Sequence, residues 1–353
     1  CSGLVGSEMC IRDRVYRYMI KNTSFKNKNV LITGGAGFIG SELTKQALSL
    51  GANVSVVDNL VNGKKSNLNL DDKNLIFYEE DIRNQQVMQN LITKSDYVFN
   101  LACLGVRHSI HSPIESHSVN ADATLNLLKM SRETDIKKFV HISTSEVYGT
   151  AKYVPMTEEH PTAPHTVYGA SKLAGEAYAR AYSKSFNTNT VVIRPFNSYG
   201  YNSHHEGDSG EVIPKFIIRA LTGNPLYIFG DGEQTRDFTF VTDTAKAIIQ
   251  IGLNDLTNET YNLGSENEIT VNELAKLILQ LTNSSSEIIH IEPRPGDVLR
   301  LFSDSSKAFS EFGISHEIDF EKGLKNLIMY YSNSDKDLNE MLEEDIIKNW
   351  ESE

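Results

Sequence analysis

Short apolar runs, rich in β-branched residues, alternate with stretches of helical periodicity between Asn29 and Arg194. The runs predict strands at Val30–Thr33, Val54–Asp58, Leu75–Tyr78, Tyr97–Leu101, Phe139–Ser143 and Val191–Arg194. The stretches between them predict helices that include Phe38–Leu50, Gln85–Ile92, Asn120–Arg132 and Tyr168–Ser183. Apolar strands separated by helices are typical of a parallel sheet that is covered on both faces. Because the crossovers in such a sheet are right-handed, the pattern predicts a doubly wound α/β fold.

The pattern changes after Phe196. Glycine and polar residues cluster in Ser203–Gly210, and amphipathic helical patterns follow at Glu211–Leu221 and Val271–Leu281. We therefore expect a smaller α/β lobe at the carboxyl edge of the sheet. The expected division is a larger domain of residues 27–196 to which residues 236–262 return, a smaller lobe of residues 197–235 and 263–335, and an acidic, helical C-terminal tail of residues 336–353.

The first residues differ from everything after them. Cys1–Arg14 lacks an initiator methionine, contains no apolar run of signal-peptide length and carries charges throughout. We therefore expect residues 1–26 to be a disordered or non-native leader, with Met19 as a natural start.

Composition excludes several classes of function. The formal net charge of −12 argues against nucleic-acid binding, because neutralising phosphates requires clustered lysines and arginines. No window approaches the roughly 18 consecutive apolar residues of a membrane-spanning helix. Cys1, Cys10 and Cys103 show neither CxxC nor CxxH spacing, so we expect no disulfide framework and a reduced, cytoplasmic setting. His204 and His205 lack partners at ligand spacing, so we predict no metal site.

A glycine-rich segment, TGGAGFIG, joins the first predicted strand to the first predicted helix at Thr33–Gly40. Its glycines allow backbone N–H groups to approach a pyrophosphate closely, and the helix N-terminus adds partial positive charge. Asp58 ends the next predicted strand. A carboxylate there accepts ribose hydroxyls and repels a 2′-phosphate, which favours NAD over NADP. Asp81-Ile82 and Leu101-Ala102 end later strands, where they would either contact the cofactor or pack the strand ends.

Tyr168 and Lys172 stand four residues apart on one face of a predicted helix. A free tyrosine has a pKa near 10, but a lysine cation one turn away and a positive nicotinamide ring would favour the phenolate. Such a phenolate takes a hydroxyl proton while hydride leaves the same carbon. The spacing alone is common on protein surfaces. Here it follows the strand-ending segment STSEVYG, in which Thr144 can hold a substrate oxygen and Glu146 can act as a second base.

These segments together resemble those of the extended short-chain dehydrogenase/reductases, and more narrowly the NAD-dependent nucleotide-sugar epimerase/dehydratase family. The resemblance rests on TGGAGFIG, Asp58, Asp81-Ile82, STSEVYG, YGASK and Arg194–Asn197 (RPFN), and it spans roughly Asn29 to Tyr330. It implies a Rossmann-like fold that binds NAD, a nucleotide-diphosphate sugar as substrate, and a homodimer paired through helices that include the Tyr-Lys helix. The chain departs from the family pattern at Cys103, where an alanine is usual, and at Tyr201-Asn202.

The resemblance also implies roles for particular residues. The catalytic residues would be Thr144, Ser145, Glu146, Tyr168 and Lys172. Contacts with NAD would come from Tyr168 and Lys172 and from Gly34, Gly37, Phe38, Ile39, Asp58, Asn59, Asp81, Ile82, Leu101, Ala102, Asn120 and Phe196. The nucleotide diphosphate or its ribose would be held by Asn197, Arg236, Arg294 and Arg300, since an arginine fork engages phosphate oxygens bidentately.

The same resemblance implies that Tyr168 takes the proton of the sugar 4-hydroxyl while the C4 hydride passes to NAD⁺. Glu146 stands where dehydratases of the family keep a base for C5, and a simple 4-epimerase needs no carboxylate there. We therefore favour a 4,6-dehydratase of a UDP- or GDP-sugar. Ser145 argues against dTDP-glucose as substrate, since the enzymes for that sugar carry Asp at this position. A UDP-glucuronate decarboxylase, a UDP-sugar 4-epimerase and, from another class, a non-catalytic NAD-sensing protein stay open.

Overall fold

The computed structural model describes residues 24–350, which contain twelve strands and twelve α-helices. The strands are β1 (Asn29–Thr33), β2 (Asn53–Asp58), β3 (Leu75–Glu79), β4 (Tyr97–Asn100), β5 (Lys138–Ile142), β6 (Thr190–Pro195), β7 (Asn197–Tyr199), β8 (Leu226–Phe229), β9 (Thr235–Phe240), β10 (Glu259–Leu263), β11 (Glu268–Thr270) and β12 (Ile288–Ile291). The helices are α1 (Phe38–Ser49), α2 (Gln85–Thr93), α3 (Val106–His111), α4 (Pro113–His117), α5 (Ala123–Arg132), α6 (Val167–Phe186), α7 (Val212–Leu221), α8 (Val241–Leu253), α9 (Val271–Thr282), α10 (Ser306–Phe312), α11 (Phe320–Ser332) and α12 (Leu338–Glu343). Within this described part, no helix is both long and apolar enough to cross a membrane.

Seven strands form one parallel sheet in the order β10-β6-β5-β4-β1-β2-β3. The chain winds outward from β1 to β3 and then returns to the other side of β1 through β4. Ligands of such sheets bind at the carboxyl edge where this reversal occurs. The predicted doubly wound, Rossmann-like fold is confirmed, and each of the six predicted strands lies within two residues of an observed one.

The apolar strands are buried on both faces, as their composition requires. Successive side chains of a strand point to opposite faces. Thus Ile32 packs in the core with Leu43 of α1 and Ile248 of α8. Leu31, its neighbour in β1, packs on the other face with Leu127 of α5. Two helical layers therefore hold the sheet rigid, and the ends of its strands become fixed points for polar side chains.

A second core belongs to the smaller lobe. The three-stranded sheet β11-β9-β7 and the two-stranded sheet β12-β8 contribute to it together with α7, α9 and α11. Tyr199, Phe238 and Phe240 supply much of its aromatic surface, with ring centroids 5.2–6.2 Å apart. The helix α9 begins in a capping box, in which Thr270 accepts from the backbone N–H of Glu273 and Glu273 reaches back to Thr270.

Both ends of the described chain are packed more tightly than the sequence suggests. The leader was expected to extend to residue 26, but Phe25 is fully buried in the first core against Tyr97 and Phe99. An aromatic side chain that fills the core cannot belong to a loose leader, so this boundary is corrected; residues 1–23 lie outside the described part. In the C-terminal tail, Met341 and Trp350 are buried, and the Trp350 ring lies 4.7 Å from that of Phe229.

Candidate active site

The glycine segment forms a tight turn between β1 and α1. Gly34 adopts a φ of +69° and donates its N–H to the carbonyl of Val57 at 2.8 Å. A Cβ on Gly40 would lie 2.0 Å from the carbonyl oxygen of Gly34, so the turn closes only with glycine there. The first backbone N–H groups of α1 consequently face the cleft, which suits a pyrophosphate.

Asp58 lies at the end of β2, beside this turn. Its carboxylate accepts from the N–H of Ala36 at 3.0 Å and from the N–H of Leu60 at 2.9 Å. Burial raises its pKa, and these backbone hydrogen bonds oppose that shift. The carboxylate is thus held beside the glycine turn, where the adenine ribose of a dinucleotide would lie. The glycine turn and the carboxylate together fit NAD.

The other strand-end residues follow along the same edge. Asn59 donates to Asp81 at 3.1 Å, and Arg83 donates two hydrogen bonds to Asp81, which lower the pKa of that carboxyl. Leu101 and Ala102 donate their N–H groups to the hydroxyl of Thr33 at 3.1 and 3.2 Å. The lining of one cavity includes Asn59, Asp81, Ile82, Leu101 and Ala102, together with Gly34, Gly37, Phe38, Ile39, Asp58 and Phe196.

Asn120 was expected to contact NAD, but the structure does not place it in the cavity lining. Its side chain is buried and hydrogen-bonded to Leu104 N and O at 2.9 and 3.0 Å, to Ser116 at 3.2 Å and to Ser171 at 3.0 Å. The amide oxygen and the amide nitrogen of Asn120 thus both form hydrogen bonds within the protein. Asn120 fixes the loop after β4 against the helix that carries Tyr168.

Tyr168 lies in the first turn of α6, which Thr166 caps by accepting from Gly169 N at 3.1 Å. Burial raises the pKa of Tyr168 well above its usual value; Cys103 and Glu146 raise it further, while a hydrogen bond with Thr144 lowers it. Burial also lowers the pKa of Lys172. The shift favours the protonated phenol in the protein alone, whereas the predicted phenolate also requires the positive nicotinamide ring.

Glu146 follows β5 in a short turn that Thr144 caps, its hydroxyl accepting from Glu146 N at 3.2 Å. The carboxyl group of Glu146 faces the cavity and has no hydrogen-bond or ion-pair partner within residues 24–350. Burial raises its pKa, and the charges of Arg236 and Arg294 partly offset the shift. Thr144, Ser145, Glu146, Tyr168 and Lys172 all line the same cavity.

Two predicted arginines meet over one carboxylate. Arg236 of β9 and Arg294 both donate to Oδ1 of Asp297, at 2.8 and 2.6 Å. Both line the cavity, as does Asn197, whose buried Oδ1 has no hydrogen-bond partner. Buried polar atoms are normally paired, so these groups are prepared for a ligand.

Arg300 was expected beside them, but it lies outside the cavity lining. Its guanidinium donates two hydrogen bonds to Glu268, at 2.6 and 2.8 Å, and its side chain is 48% exposed. The arginine is therefore engaged by a surface ion pair, and the structure does not bring it together with Arg236 and Arg294.

The cavity, of about 620 Å³, extends from the glycine turn to Trp350 and is lined by both parts of the chain. The segment Ser203–Gly210 borders it and contacts the rim around the glycine turn: Glu206 pairs with Lys64 at 2.7 Å, and Ser209 donates to Asn62 at 2.8 Å. These contacts join the two lobes across the cleft. Their only sign in the sequence is the polar composition of that segment.

Histidines also reach this rim. His204 lines the cavity and pairs with Glu206, and His205 contacts both Glu206 and Glu344. The nitrogens of His108 and His111 and a carboxylate oxygen of Asp208 lie within 4.8 Å of one another, with His111 Nε2 3.4 Å from Asp208. Sequence reasoning missed this group, because Asp208 is remote from the two histidines along the chain.

The fold and the cleft are those of a dinucleotide-binding α/β enzyme. The chain belongs to the NAD-dependent epimerase/dehydratase family, whose profile matches residues 30–264. It is 34% identical to the structure of UDP-glucose 4-epimerase from Thermotoga maritima, solved with UDP-glucose (TM-score 0.82; 86% of this chain, 98% of that one). It is 30% identical to DesIV, a dTDP-glucose 4,6-dehydratase from Streptomyces venezuelae with NAD bound (TM-score 0.82; 86% and 97%). It is 33% identical to UDP-glucuronic acid decarboxylase 1 of Xenopus tropicalis (86% and 72%).

These similarities establish an NAD-dependent enzyme of the nucleotide-sugar epimerase/dehydratase class. The non-catalytic alternative is thereby set aside. The three relatives are named for three different reactions. Membership of the family therefore does not identify the reaction, which must be inferred from the residues of the site.

Proposed function

We propose that this enzyme oxidises C4 of a nucleotide sugar transiently and then eliminates water across C5 and C6, as a 4,6-dehydratase of a UDP- or GDP-sugar. The observation that carries the proposal is the carboxyl group of Glu146, which faces the cavity near Tyr168 and has no partner within the described chain. A carboxylate left free in a cleft, with a pKa raised by burial, is suited to take a proton from carbon.

The first half of the reaction uses the Tyr-Lys helix. Tyr168 accepts the proton of the sugar 4-hydroxyl, and the hydroxyl of Thr144 orients the same oxygen. When bound, NAD⁺ would supply the hydride acceptor for C4, the hydride donor for C6 and a positive charge that favours the phenolate. Lys172 lies one turn from Tyr168 and adds a second positive charge.

In the second half, the new 4-keto group acidifies the proton on C5. Glu146 removes this proton and passes it to the departing C6 hydroxyl, which leaves as water. The neighbouring Ser145 is a much weaker acid, so the proton transfer rests on Glu146. Hydride addition at C6 and protonation of C5 by Glu146, which takes this proton from solvent, then give a 4-keto-6-deoxy sugar, and Tyr168 releases the 4-hydroxyl proton to solvent.

The remaining residues bind the two nucleotides. We assign Arg236 and Arg294 to the nucleotide diphosphate, because two arginine forks line the cavity. We assign Asn197 to the ribose of the nucleotide sugar, because a ribose hydroxyl can donate to its unpaired amide oxygen. We assign the adenine ribose of NAD to Asp58. The strand-end and turn residues of the cavity lining, Gly34, Gly37, Phe38, Ile39, Asn59, Asp81, Ile82, Leu101, Ala102 and Phe196, complete the NAD site.

Two further reactions share the same first half. The Thermotoga maritima relative is a 4-epimerase, and epimerisation needs only the return of hydride to the opposite face. The Xenopus tropicalis relative is a decarboxylase, and a 4-ketone drives loss of carbon dioxide from a glucuronic acid. Neither reaction explains an unpartnered carboxyl group at Glu146 as directly as removal of the C5 proton does.

The test is product analysis by mass spectrometry after incubation with UDP-N-acetylglucosamine, UDP-glucose, UDP-glucuronate and GDP-mannose. The proposal predicts loss of water from at least one of them, and no product with Tyr168→Phe. Loss of carbon dioxide from UDP-glucuronate identifies a decarboxylase instead, and an unchanged mass with a new configuration at C4 identifies an epimerase. Turnover by Tyr168→Phe at the parent rate contradicts the whole mechanism.

We also propose a homodimer, in which α5 and α6 of two chains pair. Leu127 and Leu128 are buried in the core, but Leu125 on α5 is only partly covered and Phe186 at the end of α6 is 42% exposed. Light scattering then gives twice the 39.5 kDa of one chain. A single-chain mass at assay concentration contradicts the assignment.

A further inference from the structure

A third arginine, Arg107, lines the same cavity as Arg236 and Arg294. It comes from α3, directly after β4 of the seven-stranded sheet, whereas Arg236 comes from β9 of the three-stranded sheet. Nothing in the sequence around Arg107 indicated that it would line the cavity. The cavity therefore holds arginines from both sides of the cleft.

The side chain of Arg107 has no protein partner. Its Nε is buried without a hydrogen bond, and within residues 24–350 no ion pair or side-chain hydrogen bond joins its guanidinium to an acceptor. Burial, together with the charge of Arg294, lowers the pKa of Arg107 to about 10. Arg107 as a whole is partly buried, and a guanidinium that is partly removed from water without a counter-ion is unfavourable, so such groups are normally paired.

The carboxyl groups near Arg107 either pair with other residues or are partly protonated at neutral pH. Asp297 is shared by Arg236 and Arg294, and Asp208 contacts His111 and Ser209. Burial raises the pKa of Glu211 to about 7, so much of it is neutral near neutral pH. None of the three offers Arg107 a full counter-charge.

The guanidinium groups of this cluster suit a diphosphate. Arg236 and Arg294 share the carboxylate of Asp297 and lie near that of Glu146, whereas no carboxylate pairs directly with Arg107 within residues 24–350. A diphosphate diester carries two negative charges at neutral pH. The planar guanidinium fork engages phosphate and carboxylate oxygens with the same geometry.

We propose that Arg107 binds an anionic oxygen of the nucleotide-sugar substrate. This inference rests on the proposed function and extends the substrate-binding site to the α3 side of the cleft. The diphosphate is the favoured source, since the charge of Arg294 lies near enough to act on Arg107. A carboxylate on the sugar ring is the other source with the same chemistry. In either case the bound substrate joins α3 to β9 across the cleft.

The test measures equilibrium binding to the NAD-loaded enzyme by calorimetry. The ligands are the nucleoside diphosphate that the parent binds most tightly among UDP, GDP and dTDP, and the corresponding nucleoside. For Arg107→Gln we expect the diphosphate to bind about tenfold more weakly or worse, as for the loss of a charge-assisted hydrogen bond. The affinities for the nucleoside and for NAD⁺ stay within about twofold of the parent, and Arg107→Lys recovers part of the loss.

A second pair of ligands, UDP-glucuronate and UDP-glucose, separates the two sources. If Arg107→Gln leaves the nucleoside diphosphate unaffected but weakens UDP-glucuronate relative to UDP-glucose, the anion is the sugar carboxylate. Unchanged affinity for all four ligands overturns the proposal. An equal loss for the nucleoside and NAD⁺ also overturns it, because the arginine then serves the structure alone.

Arg236→Gln is the control that separates this inference from the proposed function. Loss of diphosphate affinity in Arg236→Gln but not in Arg107→Gln overturns only the inference. A parent enzyme that binds none of the three nucleoside diphosphates refutes the proposed function, and the inference falls with it.

Discussion

Glu176 and Arg194 form a doubly hydrogen-bonded ion pair in the interior, with Arg194 Nε 2.8 Å from Oε1 and Nη2 2.7 Å from Oε2 of Glu176. Glu176 lies on α6, two turns beyond Tyr168, and Arg194 lies on β6, which leads to Phe196 and Asn197. Oε1 of Glu176 also accepts from the hydroxyl of Ser143 at 2.6 Å, beside Thr144. One carboxylate thus links the three segments that carry the proposed catalytic and binding residues.

We predict that Glu176→Gln is destabilised by about 3–5 kcal/mol, because Arg194 then keeps a buried charge without its counter-ion. Burial raises the pKa of Glu176, but Arg194 outweighs it and the net shift is downward. The stabilisation is therefore present above the unfolded carboxyl pKa, near 4.3, and is lost as the pH falls through the lower folded value. Urea unfolding of the parent and of Glu176→Gln at pH 7 and in acid measures both effects. A variant as stable as the parent at pH 7 contradicts the account.

Replacing Asp58 tests the assignment of NAD. In Asp58→Asn the carboxylate that repels a 2′-phosphate is gone, so we expect NAD⁺ to bind about tenfold more weakly and NADP⁺ to gain relative to it. Fluorescence titration with both cofactors gives the ratio. Asp81→Asn is the control, since its carboxylate is held by Arg83 and should leave the NAD⁺ to NADP⁺ ratio near that of the parent. An unchanged ratio in Asp58→Asn argues against the assignment.

Cys103 provides a test of the base. Burial contributes most to the raised pKa of Tyr168, and the neighbouring thiol of Cys103 raises it further. Since the phenolate is the active form, Cys103→Ala should move the ascending limb of the kcat/KM profile to lower pH. Cys103→Ser, which retains a hydrogen-bonding group, should move it less. An ascending limb that stays in place, or moves to higher pH, would show that Cys103 does not raise the pKa of Tyr168.

Arg236 and Arg300 form a matched pair of variants. Arg236→Gln should raise KM for the nucleotide sugar by about tenfold, as expected for a lost charge-assisted contact. Arg300→Gln should leave KM unchanged and cost at most about 1 kcal/mol of stability, because it removes only an exposed ion pair with Glu268. Steady-state kinetics and thermal unfolding measure the two. Similar KM values for both variants would place the diphosphate elsewhere.

The sequence revealed features that depend on local patterns. The alternation of apolar strands and helices predicted the sheet, and the strand–glycine–helix order together with Asp58 indicated the NAD edge. Tyr168 and Lys172 could be paired because helical spacing places them on one face. In each case the residues that define the feature are neighbours along the chain or occur at a fixed spacing.

The sequence could not reveal which distant side chains satisfy one another. Arg300 looked like a ligand for phosphate because Glu268 is remote from it in sequence but adjacent in space. Asn120 is occupied by Ser116, Leu104 and Ser171, and the last of these lies on another helix. Arg107 is the converse case: only the folded structure shows that its guanidinium lacks a partner.

Turnover in deuterium oxide shows whether Glu146 removes the C5 proton. The substrate is the nucleotide sugar from which water is lost, and the product is examined by NMR for deuterium at C5. The account predicts deuterium at C5 of the parent's product, and for Glu146→Gln a C4-oxidised sugar with NADH absorbance, but neither water loss nor exchange at C5. Deuterium at C5 in Glu146→Gln at the parent rate, or none in the parent, would contradict it.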